Sequence, residues 1–336
     1  MMAENIVIVD GQPGCGKSMM SPIVSSFKRV ELLTYIFEIE WLCRLFSFKK
    51  ISKDAAISLI RMLIDHKIYQ QMMGRETNFR ISDVSSIFNY HTPEKYIKRI
   101  FQPGDTVIPN RIKKEKPILH IMMHDMMSSG DLLFESLGSR LVFIEIVRHP
   151  LYMLIQQSLN FKNTFNTVRD VSIYFSHNKQ EFPYFVKGWE KEYHKINHVE
   201  KAIAAINHHT LESNIKRKKI LKNKKNKLIT IPFEIFVKKP DKYLNKIKKL
   251  LGASFTQKTK KILKEQNIPR LKIADSIPLD IYKRCGWLPS DPNLSEDDEL
   301  KIRRNYAKDN RVSSKYIKIL DKLSQMYEYK FLNNQK

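Results

Sequence analysis

Gly11-Gln12-Pro13-Gly14-Cys15-Gly16-Lys17-Ser18 follows the apolar run Ile6-Val7-Ile8-Val9 and precedes a segment of helical period. That is the strand–loop–helix setting that a G-x-x-x-x-G-K-S pattern requires. Glycines let successive backbone N–H groups turn inward onto a phosphate, Lys17 adds a point charge, and the helix N-terminus adds its positive dipole end. The pattern predicts a phosphate-binding loop for a nucleotide-like ligand. It does not by itself choose a chemistry.

Beyond the loop, Leu141 to Val147 reads as an interior strand that ends at Arg148-His149-Pro150 before a helix to about Phe161. Ile118 to Met123 is a shorter strand that exits at His124-Asp125, and Leu228 to Ile231 is a fourth. Strand, loop and helix recur, which predicts an α/β three-layer sandwich: a central parallel sheet of about four to five strands flanked by helices. Ligands of such sheets bind beyond the carboxyl ends of the strands, so Gly11–Ser18, His124 and Arg148 are expected to converge on one crevice. Between the strands, Met19 to Phe48 reads helical, as do Ser52 to Met73 and Pro93 to Phe101. Arg75 to Ser86 is polar and without period, either a capped surface loop or a ligand-facing one. Phe182 to Glu190 opens a helix to about His208, and Pro240 to Leu251 is an amphipathic helix stopped by Gly252. Lys216 to Lys227 holds eight Lys or Arg in twelve positions, which predicts a solvated loop or an anion-binding patch.

With 336 residues and 42% hydrophobic content, the chain can bury the core of one large domain over 1–336. A helical insertion at about 49–115 and a helical C-terminal extension at about 288–336 complete that reading. The formal charge of +24 points to an acidic partner, although Lys, Ile and Asn are abundant together, as biased base composition would make them. No nucleic-acid-binding motif accompanies the charge, so no nucleic-acid partner is expected. No eighteen uncharged apolar residues run together and Glu4 interrupts the start, so no membrane span or secretory signal is expected, and a cytoplasmic location is. Cys15, Cys43 and Cys285 are an odd number without metal-type spacing, which suggests neither a disulfide framework nor a zinc site.

Several segments resemble the sulfotransferase family, an uncharacterised bacterial-type branch of it, in which 3′-phosphoadenosine 5′-phosphosulfate (PAPS) is the donor. Gly11, Pro13, Gly16 and Ser18 fall on the family loop G-x-P-x-S-G-T-T, with Cys15 at the serine and Lys17 at the first threonine. Arg148-His149-Pro150 resembles the family's strand-end Arg that holds the donor's 3′-phosphate. The family's accompanying Ser falls at Gln156, with Ser158 two positions on. Ile231-Pro232-Phe233-Glu234 through Leu250-Leu251-Gly252 resembles its strand, acidic residue, Pro and Leu-Gly helix, and Tyr282-Lys283-Arg284-Cys285-Gly286-Trp287 its donor-covering segment. The resemblance implies a donor site of Gly11, Pro13, Gly14, Cys15, Gly16, Lys17, Ser18, Arg148, Ser158, Arg284 and Trp287. It also implies in-line sulfuryl transfer to a hydroxyl or amine of a glycan or small metabolite, with no metal required.

Residue chemistry agrees in part. A kinase of this architecture needs an acidic residue at a strand mouth to organise Mg²⁺. Glu145 lies too early in its strand, whereas Arg148 stands at the mouth, a fork suited to a phosphate. The intact Gly16-Lys17-Ser18 keeps a P-loop kinase or NTPase using Mg-ATP as the alternative. In the sulfotransferase reading Lys17 stabilises the leaving oxygen, and the general base is one of His124, Glu38 and Glu40. The acceptor is set by loops expected around Arg75–Ser86 and Asn160–Trp189, and the basic surface favours an acidic one.

Overall fold

The computed structural model describes residues 2–165, 167–168, 170, 172–273, 286–289, 291 and 293–333. Four short apolar runs form a parallel sheet: β1 (Asn5–Asp10), β2 (Ile118–Met122), β3 (Leu141–Val147) and β6 (Lys227–Pro232), in the order β2-β1-β3-β6. The strands are apolar at nearly every position because both faces are covered. Val7 and Val9 point into a core shared with Met20, Ile23 and Phe236, whereas Ile6 and Ile8 point to the other face, against Ile60, Leu119 and Leu133. That is the expected three-layer sandwich.

The register β1↔β2 and β1↔β3 brings the ends of three strands to one edge: Asp10 stands opposite Glu145, and Val9 opposite Met122. The loop therefore leaves from mid-sheet, with the exits of β2 and β3 on either side.

The helix expected over Met19–Phe48 is two. α1 (Lys17–Ser25) contains Pro22, and α2 (Phe37–Ser47) starts eleven residues after Ser26. The intervening chain runs along the sheet edge, where Glu31 and Thr34 N–H donate to the carbonyls of Ile118 and His120, both at 3.0 Å. Glu31 explains the break. It is 1% exposed and holds Arg99 (2.7 and 3.1 Å), Lys95 (2.7 Å) and the Tyr96 hydroxyl (2.6 Å) from α4 (Pro93–Ile100). This buried cluster docks the region of α3 (Lys53–Met73), α4 and α5 (Ile108–Glu115) against the sheet edge. Ser52 caps α3 as expected, its side chain accepting from Ala55 N–H at 3.1 Å.

The segment expected to be helical from Phe182 to His208 is a hairpin, β4 (Tyr174–His177) with β5 (Gln180–Pro183), then the single turn α8 (Glu190–Tyr193) and the long α9 (His198–Leu221). Asn197 sets the start of α9 by a capping box with Glu200. α9 continues through half of the basic run that sequence assigned to a loop. The reason is pairing: Arg217 is buried on Glu145, and Lys216 and Lys219 meet Asp131 at 2.9 and 3.2 Å. α7 (Pro150–Asn163), α9 and the tail helices Glu296–Asp309 and Ser314–Tyr327 share a further core that includes Leu154, Ile203, Ala307 and Leu320. Between β6 and the tail lie α10 (Phe233–Lys238), α11 (Asp241–Leu251), which stops at Gly252 in the left-handed region, and α12 (Thr259–Glu265). Among the described residues no helix is long and apolar enough to cross a membrane.

Candidate phosphate-loop site

The loop departs from β1 at Gly11 and enters α1 through Gly16, which caps the helix at φ +107°. A Cβ at Gly16 would run into the ring of Phe233, and one at Gly11 into the carbonyl of Ile146. Glycine is required there by close approach as well as by φ. Cys15 is buried, and burial pushes its thiol up to about 11, so it is a neutral filler in the loop. Lys17 is 6% exposed, and its ammonium donates to the carbonyls of Gly11 and, at 3.2 Å, Gln12. Loop and lysine are thus wound together before any anion adds to them.

Arg148 lies beside the loop at the exit of β3. Its Nη1 donates to Gly14 O at 2.8 Å, and its guanidinium lies over the Phe233 ring at 4.1 Å and the Tyr152 ring at 5.1 Å. Nε is buried without a hydrogen-bond partner. Burial lowers the pKa of Arg148, yet a guanidinium stays charged in a protein, so one nitrogen of a buried cation is left unsatisfied. α7 supplies the remaining braces: Gln157 Nε2 donates to Pro13 O at 3.1 Å, and a Cβ on Gly14 would lie 3.0 Å from Gln156 Oε1. Ser158 faces elsewhere. Its hydroxyl donates to Ile155 O (3.0 Å) and meets the Tyr306 hydroxyl at 2.8 Å, because residues two apart on a helix do not share a face. The donor-side serine expected at Ser158 is therefore packed against the tail helix, and glutamines reach the loop in its place.

Of the tail landmarks, Arg284 lies outside the described residues. Gly286 sits against α7, where a Cβ would approach Asn163 and Leu159 at 3.5 and 3.9 Å, and Trp287 beside it is half-buried.

Three acidic residues stand near the sheet's carboxyl edge. Glu145 is bound through both oxygens by Arg217 (2.5 and 2.6 Å) and accepts from Thr230 at 2.9 Å, so it is a structural counter-charge. Asp10 is fully buried and accepts from Met126 and Met127 N–H at 3.0 and 2.9 Å. Burial raises its pKa to about 6, against the lowering effect of the Met126 bond. Asp125 follows β2, and its N–H approaches Gly11 O at 3.4 Å.

The candidate bases separate cleanly. Glu40 accepts from His124 N–H at 3.1 Å, and the same Oε1 lies 3.0 Å from His124 Nδ1. The carboxylate favours the proton on Nδ1 and leaves Nε2 as an acceptor. Phe37 and Tyr35 lie nearly parallel to the imidazole at 6.2 Å. Glu38 is exposed, as is its neighbour Phe37, so no apolar pocket encloses the carboxylate.

A second His–carboxylate pair escaped sequence reasoning. Asp125 is 5% exposed, its Oδ1 has no hydrogen-bond partner, and its Oδ2 lies 4.0 Å from Nε2 of His209 on α9. The only sequence signal was the His124-Asp125 exit from β2; nothing local points to His209. Arg44 holds this exit, donating to the carbonyls of His124 (3.2 Å) and Asp125 (3.3 Å) and lying over the Tyr184 ring at 4.3 Å.

A hollow of about 50 Å³ lies against Gly11, Gln12, Cys15 and Arg148, and two further openings flank the loop. On one flank, Pro13, Asp125, Asn160, Phe161, Tyr184 and His209 border a narrow cleft, and Tyr184, Phe185 and His209 also border a cavity of about 350 Å³ between α2 and α9. On the other, Ser18 and Pro22 face a groove of about 620 Å³ closed by Ile81, Ser82, Lys258 and Lys261. Of the two stretches expected near an acceptor, Asn160–Trp189 reaches the cleft and Arg75–Ser86 the groove.

No family model matches the sequence, and no curated protein matches it. Among solved structures the chain is similar to the sulfotransferase domain from the Synechococcus PCC 7002 olefin synthase. The TM-score is 0.37 at 11% identity, over 90% of this chain and 94% of that chain.

Proposed function

We propose that this chain is a sulfotransferase that moves a sulfuryl group from PAPS to a hydroxyl or amine of a glycan or small metabolite. Arg148 carries the reading. A buried guanidinium with an unpartnered Nε, fixed by Gly14 at the carboxyl end of β3, suits a phosphate held by charge and hydrogen bonds. Bound PAPS supplies the sulfuryl group together with a phosphate leaving group. Arg148 and the loop N–H groups hold the donor's phosphates, with Gln156 and Gln157 bracing the loop. Lys17 releases its contacts with the carbonyls of Gly11 and Gln12 and neutralises charge developing on the leaving oxygen, with Ser18 at the helix start. His124 Nε2 receives the acceptor proton, and Glu40 holds the ring and stabilises the imidazolium. Arg284 and Trp287 are proposed to cover the donor.

Calorimetric titration with adenosine 3′,5′-bisphosphate in EDTA tests this. Binding is expected in the native protein and its loss in Arg148→Ala; absence of binding to the native protein sinks the reading. A second reading, a P-loop kinase, is favoured by one observation: Asp125 carries a carboxylate oxygen without a hydrogen-bond partner at the mouth of β2, where its N–H approaches Gly11 O of the loop. It requires Mg²⁺-dependent ATP turnover that Lys17→Ala removes.

A further inference from the structure

We propose that the cleft at Asp125 and His209 is the acceptor subsite, and that the acceptor it takes is a polyhydroxylated ring of the monosaccharide kind. This rests on the sulfotransferase reading for the cleft's role toward an acceptor.

Asp125 Oδ2 and His209 Nε2 are 4.0 Å apart, too far for a hydrogen bond between them. An oxygen about 2.8 Å from each would subtend roughly a right angle, so one hydroxyl fits between them, donating to one and accepting from the other. Oδ1 of the same carboxylate is buried and has no protein partner, which leaves a second acceptor for a neighbouring hydroxyl. Vicinal hydroxyls of a sugar ring present that pattern.

The walls suit the rest of such a ring. Tyr184 and Phe185 are held rigid: Arg44 lies over Tyr184, and Phe185 packs on Phe161 and Phe165 with centroids at 5.4 and 4.6 Å. They offer apolar surface to the C–H face of a sugar, while Asn160 adds a polar edge. The cleft at Asp125 is only about 30 Å³, so a hydroxyl enters it while the ring lies in the adjoining cavity of about 350 Å³, within the range of ligand sites, about 300–1000 Å³, which carries Ser47, Ser128, Lys187 and Glu212 for further hydroxyls. A purely apolar occupant would leave the Asp125 carboxylate desolvated and unpaired, and a phenol's single hydroxyl would fill the place between Oδ2 and His209 Nε2 but leave Oδ1 without a donor. That decides between the two classes.

The test is saturation-transfer NMR on the full chain with methyl β-glucopyranoside and methyl β-galactopyranoside as probes and p-cresol as the apolar comparison. A glycoside signal is expected from the native protein. It should weaken about tenfold or more in Asp125→Asn and in His209→Gln, the loss of one charge-assisted hydrogen bond. Asn keeps both the shape of Asp and its tolerance of the left-handed backbone at residue 125, where φ is 58°. Each variant is read only where it still binds adenosine 3′,5′-bisphosphate. A signal from p-cresol alone, or a glycoside signal unchanged in a variant that binds the bisphosphate, overturns the proposal. Bisphosphate binding without any glycoside signal also overturns the subsite and leaves the donor reading standing; glycoside binding without bisphosphate binding does the reverse.

Discussion

Asp10 closes β1 with a carboxyl that is fully buried and raised to about 6 from an ordinary 3.8. Over that interval the folded chain keeps a proton the unfolded chain has released, so this group's contribution to stability falls as pH rises, by about 3 kcal/mol in all. Denaturant titrations at pH 4 and 7 should therefore show the native protein losing more stability across the window than Asp10→Asn does. Equal losses would mean that the carboxyl ionises as it does in water. Asp10 was invisible as a special residue in sequence, because its pKa comes from burial that only the closed sheet creates. Arg148 was legible: an Arg directly after an apolar run of strand length stands at a sheet mouth whatever surrounds it. Asp125 with His209 was not, since the pair joins a strand exit to the middle of a helix far along the chain.

Glu31 shows what one buried charge does to elements. Burial alone would raise its pKa, but Lys95 and Arg99 outweigh it and bring the group to about 2. The stability this contributes is present above the ordinary 4.5 and is lost as pH falls through about 2. Glu31→Gln leaves buried Arg99 with only the half-exposed Glu115 at 3.6 Å as counter-charge and should cost about 3 kcal/mol at pH 7, with the gap to the native protein shrinking in acid. Denaturant titration at pH 7 and 3 reads both. The same residue is why sequence period misread the chain between α1 and α2. Apolar residues recur there at helical spacing, but they serve an edge segment pinned by α4, and period alone does not report a partner from another segment. Where a local signal fixed an element, the reading held: Ser52 before α3, Gly252 after α11, and the unbroken apolar runs of β1, β3 and β6. α9 was misjudged at both ends, because its start depends on the Asn197–Glu200 box and its length on ion pairs with β3 and α6 (Gly130–Leu137).

At the scale of the molecule, the tail is part of the core. Tyr327 bonds Glu234 and Val147 O, Glu328 meets His149 Nε2 at 3.0 Å, and Tyr306 holds Ser158. Deleting residues 311–336 removes Tyr316, Leu320 and Leu323, all buried, and should abolish cooperative denaturant unfolding. A truncated chain with a native-like transition would show the tail to be accessory. The charge of +24 also changes meaning once the chain is folded: Arg217, Lys216 and Lys219 neutralise Glu145 and Asp131, so part of the basic run is internal counter-charge. α9 has one further property. Thr210 accepts from Gln12 of the phosphate loop at 3.1 Å, and its neighbour His209 faces Asp125. Consecutive residues of one helix therefore touch the phosphate loop and the proposed acceptor cleft. Where filling one site shifts that helix, thermodynamic reciprocity requires each ligand to alter the other's affinity by the same factor.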